Sequence, residues 1–158
     1  YGLAADLHSS TEDAQRYIDA YFSAHPEVKA YMDENVRLAK EEGYVTTLLG
    51  RRRYITELKS SNYNQRAFGE RAAMNMPLQG SAADIIKIAM LHVADRLQRE
   101  NMRTKLVLQV HDELILDAPE EEKERAEMIL KQEMESAVEL RVPLVAEVST
   151  GKSWYEAK

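Results

Sequence analysis

Residues 106–116 read LVLQVHDELIL, and this stretch predicts a β-hairpin whose two apolar arms flank the polar centre His111-Asp112-Glu113. Adjacent carboxylates repel each other and lose hydration among apolar residues, so they need a compensating cation. A hard divalent cation such as Mg²⁺ supplies that charge through oxygen ligands. These residues alone leave two interpretations open: a metal-binding turn, or a solvated turn that happens to be acidic.

The composition limits the class of protein. The 158 residues suit one compact domain or part of a larger one, and a hydrophobic content of 44% suffices for a core. The sequence contains no Cys, which excludes disulfides, thiolate catalysis and Cys-ligated zinc. It shows neither an apolar run of membrane-spanning length nor a signal peptide. Because the chain begins at Tyr1 rather than Met, we expect a processed product or a fragment.

Charge is unevenly distributed along the chain. The net charge of −6 argues weakly against a nucleic-acid partner. However, residues 1–50 carry a net −5, residues 51–105 carry +6 and residues 106–158 carry −7. A basic middle between acidic ends is what a local polyanion site needs. Ordinary fluctuation of surface charge explains the same pattern.

The first part of the chain predicts two helices. Ser10 and Asp13 resemble a capping box that begins the first helix. Pro26 suits the first turn of the second helix, and Gly43 suits its end. Apolar residues at helical spacing predict a buried face, which favours core packing over a platform for stacking bases. These residues are Ala14, Tyr17, Ile18, Tyr21 and Phe22.

Two short strands are expected next, at residues 45–49 and 54–55, around a turn that contains Gly50. The turn also carries three consecutive arginines, namely Arg51, Arg52 and Arg53. The planar guanidinium matches phosphate oxygens, so one interpretation is contact with a phosphate backbone. The other is a solvated basic turn.

The second part of the chain predicts helices around the central hairpin. One helix should span about residues 64–75 and end before Pro77, and a long helix should run from Ser81 to about Glu100. A further helix should start at Pro119, and residues 143–148 should form a strand. The predicted fold class is α+β: several helices followed by a small antiparallel sheet in the order strand-strand-helix-strand.

Three polar residues, Arg71, Asn75 and Gln79, follow one another at intervals of four. The first two should share a helix face, and Gln79 should lie in the corner after Pro77. All three carry hydrogen-bond donors, and the minor groove presents acceptors at every base pair. A row of donors along the groove would form hydrogen bonds with any correctly paired duplex, whatever its base sequence. The alternative is a polar face that bridges neighbouring helices.

Three strings together resemble a known family. Residues 70–87 read ERAAMNMPLQGSAADIIK, residues 109–114 read QVHDEL and residues 151–155 read GKSWY. In this order and spacing they resemble the family A DNA polymerases of the bacterial DNA polymerase I type. The resemblance covers the whole chain and implies the late fingers (residues 1–80, with the helix that contacts the minor groove) and part of the palm (residues 81–158).

The resemblance also implies roles for the candidate residues. Asp112 would bind the catalytic metal ions, with Glu113 in support, and His111 would lie beside the primer terminus. Residues implied to contact primer–template DNA are Arg71, Asn75 and Gln79, with Gln109 in the same network. The implied activity is template-directed DNA synthesis with two Mg²⁺ ions. The implied partners are primer–template DNA, deoxynucleoside triphosphates and the upstream remainder of the polymerase, with no membrane. The implied location is the bacterial cytoplasm, in association with the nucleoid.

The chain also departs from the family pattern. The upstream motif with the second palm aspartate is absent, as is the helix whose Lys and aromatic residues grip the nucleotide. Tyr1-Gly2 resembles the end of that helix, but we assign Tyr1 no nucleotide role. We therefore expect the isolated chain to be inactive. The alternatives are a non-catalytic duplex-binding or structural module, and a metal-dependent phosphohydrolase that uses His111, Asp112 and Glu113.

Overall fold

The computed structural model describes residues 2–157, which divide into two compact units. Unit 1 comprises residues 2–46 and 50–77, and unit 2 comprises residues 47–49 and 78–157. The elements in chain order are α1 (Gly2–Asp6), α2 (Thr11–Ala24), α3 (Pro26–Glu42), β1 (Tyr44–Thr46), β2 (Arg52–Tyr54), a 3-10 turn (Thr56–Lys59), α4 (Tyr63–Arg99), β3 (Lys105–Val110), β4 (Glu113–Asp117), a second 3-10 turn (Glu120–Glu122) and α5 (Lys123–Glu135). The α+β class predicted from the sequence is confirmed.

The predicted helix ends of unit 1 are confirmed. Ser10 caps α2, and its hydroxyl oxygen accepts a hydrogen bond of 3.0 Å from the backbone N–H of Asp13. Helix α3 begins at Pro26 and is followed by Gly43 at φ +83°, a conformation that glycine adopts without a steric penalty. The N–H of Gly43 donates to the carbonyl oxygen of Ala39 at 3.0 Å, which closes the last turn.

The predicted buried face of α2 is wrong for most of its length. Ala14 is buried, but Tyr17 is 62% exposed, Ile18 36% and Tyr21 52%. Phe22 is half-buried. Periodicity shows which side chains share a helix face, whereas burial of that face depends on what packs against it. Ala14 is the buried residue of this stripe, whereas Tyr17 and Tyr21 extend into solvent.

The core of unit 1 joins α3, β1, the residue that follows β2 and the part of α4 that belongs to this unit, and it consists of Ala39, Val45, Ile55, Ala73 and Met76. Gly69 allows α4 to approach the first 3-10 turn closely. A Cβ at Gly69 would lie 3.1 Å from both the backbone nitrogen and the Cγ of Leu58, closer than ordinary van der Waals contact. The absence of a side chain at Gly69 therefore supports this packing.

The first hairpin differs from its prediction in the placement of the arginines. Strands β1 and β2 are three residues each, and Arg52 and Arg53 belong to β2 rather than to the turn. Only Arg51 of the three precedes the strand. Because Thr46 pairs with Arg52, the loop comprises residues 47–51, whereas the sequence predicted it at residues 50–53. Cross-strand pairing thus extended β2 toward the basic residues, which composition alone had assigned to the turn.

The predicted break at Pro77 is wrong, because α4 continues through it from Tyr63 to Arg99. A proline inside a helix lacks one hydrogen bond and costs about 3 kcal/mol or more. Met76 and Pro77 are both buried, and tertiary packing offsets the local preference to end the helix. Gln79 is consequently helical rather than in a corner. Ser81 is not an N-cap; its hydroxyl oxygen accepts a 2.7 Å hydrogen bond from the N–H of Leu48 within unit 2.

The core of unit 2 joins α4, β4 and α5, and it consists of Ile86, Ala89, Val93, Leu97, Leu114, Ile129 and Ala137. The core residues of α4 recur at helical spacing, which places them on one face of the helix, and Ile85 packs against this core. Val93 and Ile129 have no exposed surface. This core holds the second hairpin against two helices.

The predicted strand at residues 143–148 is wrong, because residues 143–150 have no regular secondary structure. A strand requires a hydrogen-bonded neighbour. Among the described residues, β3 and β4 pair with each other alone. The segment is instead anchored by a side chain, since the N–H of Ala146 donates to Glu135 Oε1 at 3.1 Å.

Charged side chains also connect the elements of unit 2. Glu100 accepts hydrogen bonds from Arg125 and Arg96, which lower the pKa of Glu100 to about 2. Arg96 also bonds Glu133 at 3.0 Å, so the network links α4 to α5. Glu122 makes a further contact within unit 2. Its carboxylate accepts from the N–H of Thr104 at 2.8 Å and from the hydroxyl of Thr104 at 2.6 Å.

Candidate nucleic-acid interface and metal-binding turn

The central hairpin is formed as predicted, with His111 and Asp112 in the turn between β3 and β4. The last pair is Val110 with Glu113, and the register shifts once, between Leu106 and Leu108. This irregularity is typical of a β-bulge, which increases local twist. Pairing with β4, whose Leu114 enters the core of unit 2, positions the turn.

The backbone of the turn is strained at His111, which has φ +53°. Non-glycine residues rarely adopt this left-handed conformation, although His does so more readily than most. Gln109 Nε2 donates a hydrogen bond of 2.6 Å to the carbonyl oxygen of His111. Residues kept in sparsely populated conformations cluster at functional sites. Gln109 therefore helps to define the turn that carries Asp112.

Asp112 and Glu113 are adjacent and exposed. Within residues 2–157, no group of three or more His, Asp or Glu side chains is arranged to hold a metal ion. The two carboxylates are nevertheless the hard oxygen donors that suit Mg²⁺, which commonly binds one or two carboxylates and keeps several waters. The donor chemistry fits a divalent cation, and the turn supplies part of a ligand set. The metal roles of Asp112 and Glu113 remain predictions.

Arg71 and Asn75 lie one helical turn apart on the part of α4 that belongs to unit 1, and both are exposed. The adjacent carboxylate of Glu70 is paired with Lys40 at 2.6 Å, so its negative charge is partly compensated. Gln79 is exposed on the same helix, within unit 2. Exposed donors of this kind suit the acceptors of the minor groove. Their contacts with DNA remain predictions.

The three arginines of the first hairpin do not form one surface. Successive residues of a strand point to opposite faces, so Arg52 and Arg53 lie on different sides of β2. The guanidinium carbon of Arg52 lies 4.7 Å from the centre of the Tyr44 ring, and Arg53 pairs with the buried Val45. Both arginines are exposed. The sequence analysis did not use Tyr44 and Tyr54, which flank the turn and pair with each other across the two strands.

Comparison with known proteins is consistent with this geometry. The family model described as DNA polymerase family A matches residues 1–156. DNA polymerase I of Geobacillus stearothermophilus is 53% identical over 158 residues, and that of Caldicellulosiruptor bescii is 51% identical; both matches include the whole of this chain. A solved structure, the POL domain of Pol1 from M. smegmatis in complex with DNA primer-template and dNTP, superposes with a TM-score of 0.94 at 44% identity over 99% of this chain.

These similarities define the class as DNA polymerases. The chain belongs to DNA polymerase family A, as its three motifs predicted. It spans only 18% to 19% of the length of the two bacterial relatives and 28% of the solved chain. No helix among the described residues is both long enough and apolar enough to cross a membrane.

Proposed function

We propose that this chain is the part of a template-directed DNA polymerase that supplies one carboxylate pair to the metal site and several contacts to primer–template DNA. The observation that carries the proposal is the exposed Asp112-Glu113 turn on a family A chain. In this proposal residues 1–80 belong to the fingers and residues 81–158 to the palm. The protein would act in the bacterial cytoplasm, at the nucleoid.

Asp112 and Glu113 would contribute oxygen ligands to Mg²⁺, with two ions in the complete enzyme. When bound, the metal pair neutralises phosphate charge and activates the primer 3′ hydroxyl toward the incoming deoxynucleoside triphosphate. The residues of this chain position the reactants. Gln109 stabilises the turn, His111 lies beside the primer terminus, and Arg71, Asn75 and Gln79 donate hydrogen bonds to the minor groove. The upstream remainder of the polymerase would provide the second aspartate and the nucleotide-binding helix.

The arrangement of the described residues favours a second candidate for the 158-residue chain taken alone. Since no third carboxylate or His joins Asp112 and Glu113 within residues 2–157, the chain would bind duplex DNA without catalysing synthesis. Both proposals therefore predict no primer extension by this chain. They differ at the turn, because only the metal-site proposal requires a divalent cation to bind there.

The test is a metal titration followed by NMR. Mn²⁺ should broaden the amide signals of residues 111–114 in the wild-type chain, and Asp112→Asn should remove the effect because it removes a carboxylate. Asp117→Asn, at the far end of β4, is the matched control and should leave the broadening unchanged. Equal broadening in wild type and Asp112→Asn would overturn the metal-site proposal.

Primer extension complements this test. With Mg²⁺ and deoxynucleotides, neither the wild-type chain nor Asp112→Ala should extend a primer. Extension that depends on Asp112 would show that a second metal carboxylate exists within the chain. Mg²⁺-dependent release of phosphate from nucleotides would instead support the phosphohydrolase alternative.

A further inference from the structure

The sulfur chemistry of this chain is confined to methionine, since the sequence contains seven Met and no Cys. All seven methionines lie within residues 2–157, and among them Met128 on α5 alone is exposed, at 44%. Met102 and Met134, by contrast, pack against the core of unit 2. A dissolved oxidant must reach the sulfur atom, so an accessible thioether reacts before a packed one. Met128 is therefore the methionine of this chain that is most accessible to oxidation.

The sulfur of Met128 also has a cationic partner on the same helix. Arg125, one turn earlier on α5, holds Glu100 with two of its nitrogens, since Nε donates to Glu100 Oε2 at 2.6 Å and Nη2 donates to Glu100 Oε1. The remaining nitrogen, Nη1, donates to Met128 Sδ at 3.3 Å. Because the guanidinium is planar, the two-point contact with Glu100 fixes the direction in which Nη1 points. A charged donor is thus held at Met128 Sδ before any reaction occurs.

Oxidation would strengthen the contact between Arg125 and Met128, because a thioether sulfur is only a weak acceptor. In the reaction with a peroxide, a lone pair of the sulfur forms a bond to one peroxide oxygen and the O–O bond breaks. The proton on the transferred oxygen passes to the departing oxygen, which leaves as water. The sulfur is oxidised by two electrons to the sulfoxide, and the peroxide is reduced. The new oxygen is a strong acceptor, and the unbranched Met side chain is flexible enough to turn it toward Nη1.

We propose that Met128 is a reversible oxidation site, at which a peroxide forms the sulfoxide and Arg125 Nη1 donates a hydrogen bond to the new oxygen. The polar oxygen is added at the surface of α5, where it meets solvent and a charged donor. The same change at Met134 would place an unpaired polar group against the core, which costs free energy. Unit 2 should therefore keep its stability when Met128 is oxidised. The inference is independent of the proposed polymerase function, because it uses none of the residues assigned to metal or DNA.

The first test treats the 158-residue chain with limiting hydrogen peroxide and follows each methionine by peptide mass spectrometry. Met128 should gain an oxygen about fivefold or more faster than Met102 and Met134. Methionine sulfoxide reductases, which use thiols as the reductant, should remove that oxygen. Met128→Leu keeps an apolar side chain of similar size and should abolish the fast phase alone. Equal rates at Met128 and at the two packed methionines would overturn the proposal.

The second test asks whether Arg125 holds the sulfoxide, and it uses the wild-type chain oxidised at Met128 alone. Exchange of the Arg125 guanidinium protons with water, measured by NMR, should slow about twofold or more on oxidation, because the new acceptor is stronger. The guanidinium of Arg99, which pairs with Asp95 at 2.7 Å, is the internal control and should exchange as before. Unchanged exchange at Arg125 would contradict the proposal.

Urea unfolding supplies the matching measurement of stability. Oxidation of Met128 should leave the urea midpoint of the wild-type chain unchanged, and it should lower the midpoint of Arg125→Gln, which lacks the charged donor. Each chain is compared with its own unoxidised form, so the contact with Glu100 that Arg125→Gln also loses cancels from the comparison. An equal fall of the midpoint in both chains would show that Arg125 does not stabilise the sulfoxide, and the proposal would be wrong.

Discussion

Gln109 and His111 are joined across the start of the β3–β4 turn, where the side-chain amide of Gln109 donates a 2.6 Å hydrogen bond to the carbonyl oxygen of His111. His111 adopts a left-handed backbone at φ +53°, which costs an L residue about 1–2 kcal/mol. The bond holds the peptide that leads into Asp112. The geometry of the proposed metal carboxylate thus depends on a residue that binds no metal itself.

Replacing Gln109 should loosen this turn. A hydrogen bond of this kind contributes about 0.5–1.5 kcal/mol, so Gln109→Ala should speed amide hydrogen exchange at residues 111–114 about 2- to 10-fold. The exchange is measured by NMR against Gln98→Ala, an exposed glutamine near the end of α4. Unchanged exchange in Gln109→Ala would show that the pairing of β3 with β4 defines the turn without help from the side chain.

Removing the donors on α4 should weaken duplex binding. Arg71→Ala and Asn75→Ala are each expected to cost about 1–3 kcal/mol of binding free energy for primer–template DNA, if each side chain contacts the minor groove. Anisotropy titrations at two salt concentrations would measure the loss. Arg16→Ala, on exposed α2 in the same unit, should bind like wild type. Equal affinities for all four chains would exclude the minor-groove assignment.

The stability of unit 2 should depend on pH through Glu100. Because Arg125 and Arg96 lower the pKa of Glu100 from 4.5 to about 2, its ionised form stabilises the folded state above pH 4.5. That stabilisation should be lost progressively as the pH falls from 4.5 to 2. Urea unfolding of wild type and Glu100→Gln should therefore differ at pH 6 and converge near pH 2.

Glu124→Gln serves as the control for this pH dependence, since Glu124 is exposed on α5. Its stability should follow that of wild type over the whole range. High salt should reduce the difference between wild type and Glu100→Gln, because the ion pairs are partly solvated. A difference that persists unchanged at pH 2 would argue that Glu100 acts through packing rather than through charge.

Truncating a side chain in the core of unit 2 should lower the free energy of unfolding. Ile129 has no exposed surface, and Ile129→Ala should lower the free energy of unfolding by about 2–5 kcal/mol through lost burial and a cavity. Met128, its neighbour on α5, is 44% exposed. Met128→Ala should therefore lower the free energy of unfolding by much less than Ile129→Ala does. Chemical denaturation compares the two variants. Similar losses would mean that α5 packs differently from the structure described here.

Local sequence predicted several elements well, because their determinants lie within a few residues. Ser10 caps α2 with its own hydroxyl, Gly43 ends α3 because a left-handed residue is needed there, and the apolar arms around His111 pair as a hairpin. The motifs at residues 70–87 and 109–114 also predicted the family, since a long ordered pattern is far more specific than composition. The roles of Asp112 and Arg71 were inferred from that pattern and stay predictions.

Tertiary structure decided the features that depend on distant partners. Pro77 signals a helix end locally, but burial of Met76 and Pro77 makes α4 continuous. The α2 stripe has helical periodicity, yet Tyr17 and Tyr21 lie in solvent because burial requires a second surface. The register of β1 with β2 brought Tyr44, Arg52 and Tyr54 onto one face. Sequence by itself determines which local backbone conformations have low free energy. Packing and pairing between distant segments determine which side chains are buried and which stay exposed to bind a partner.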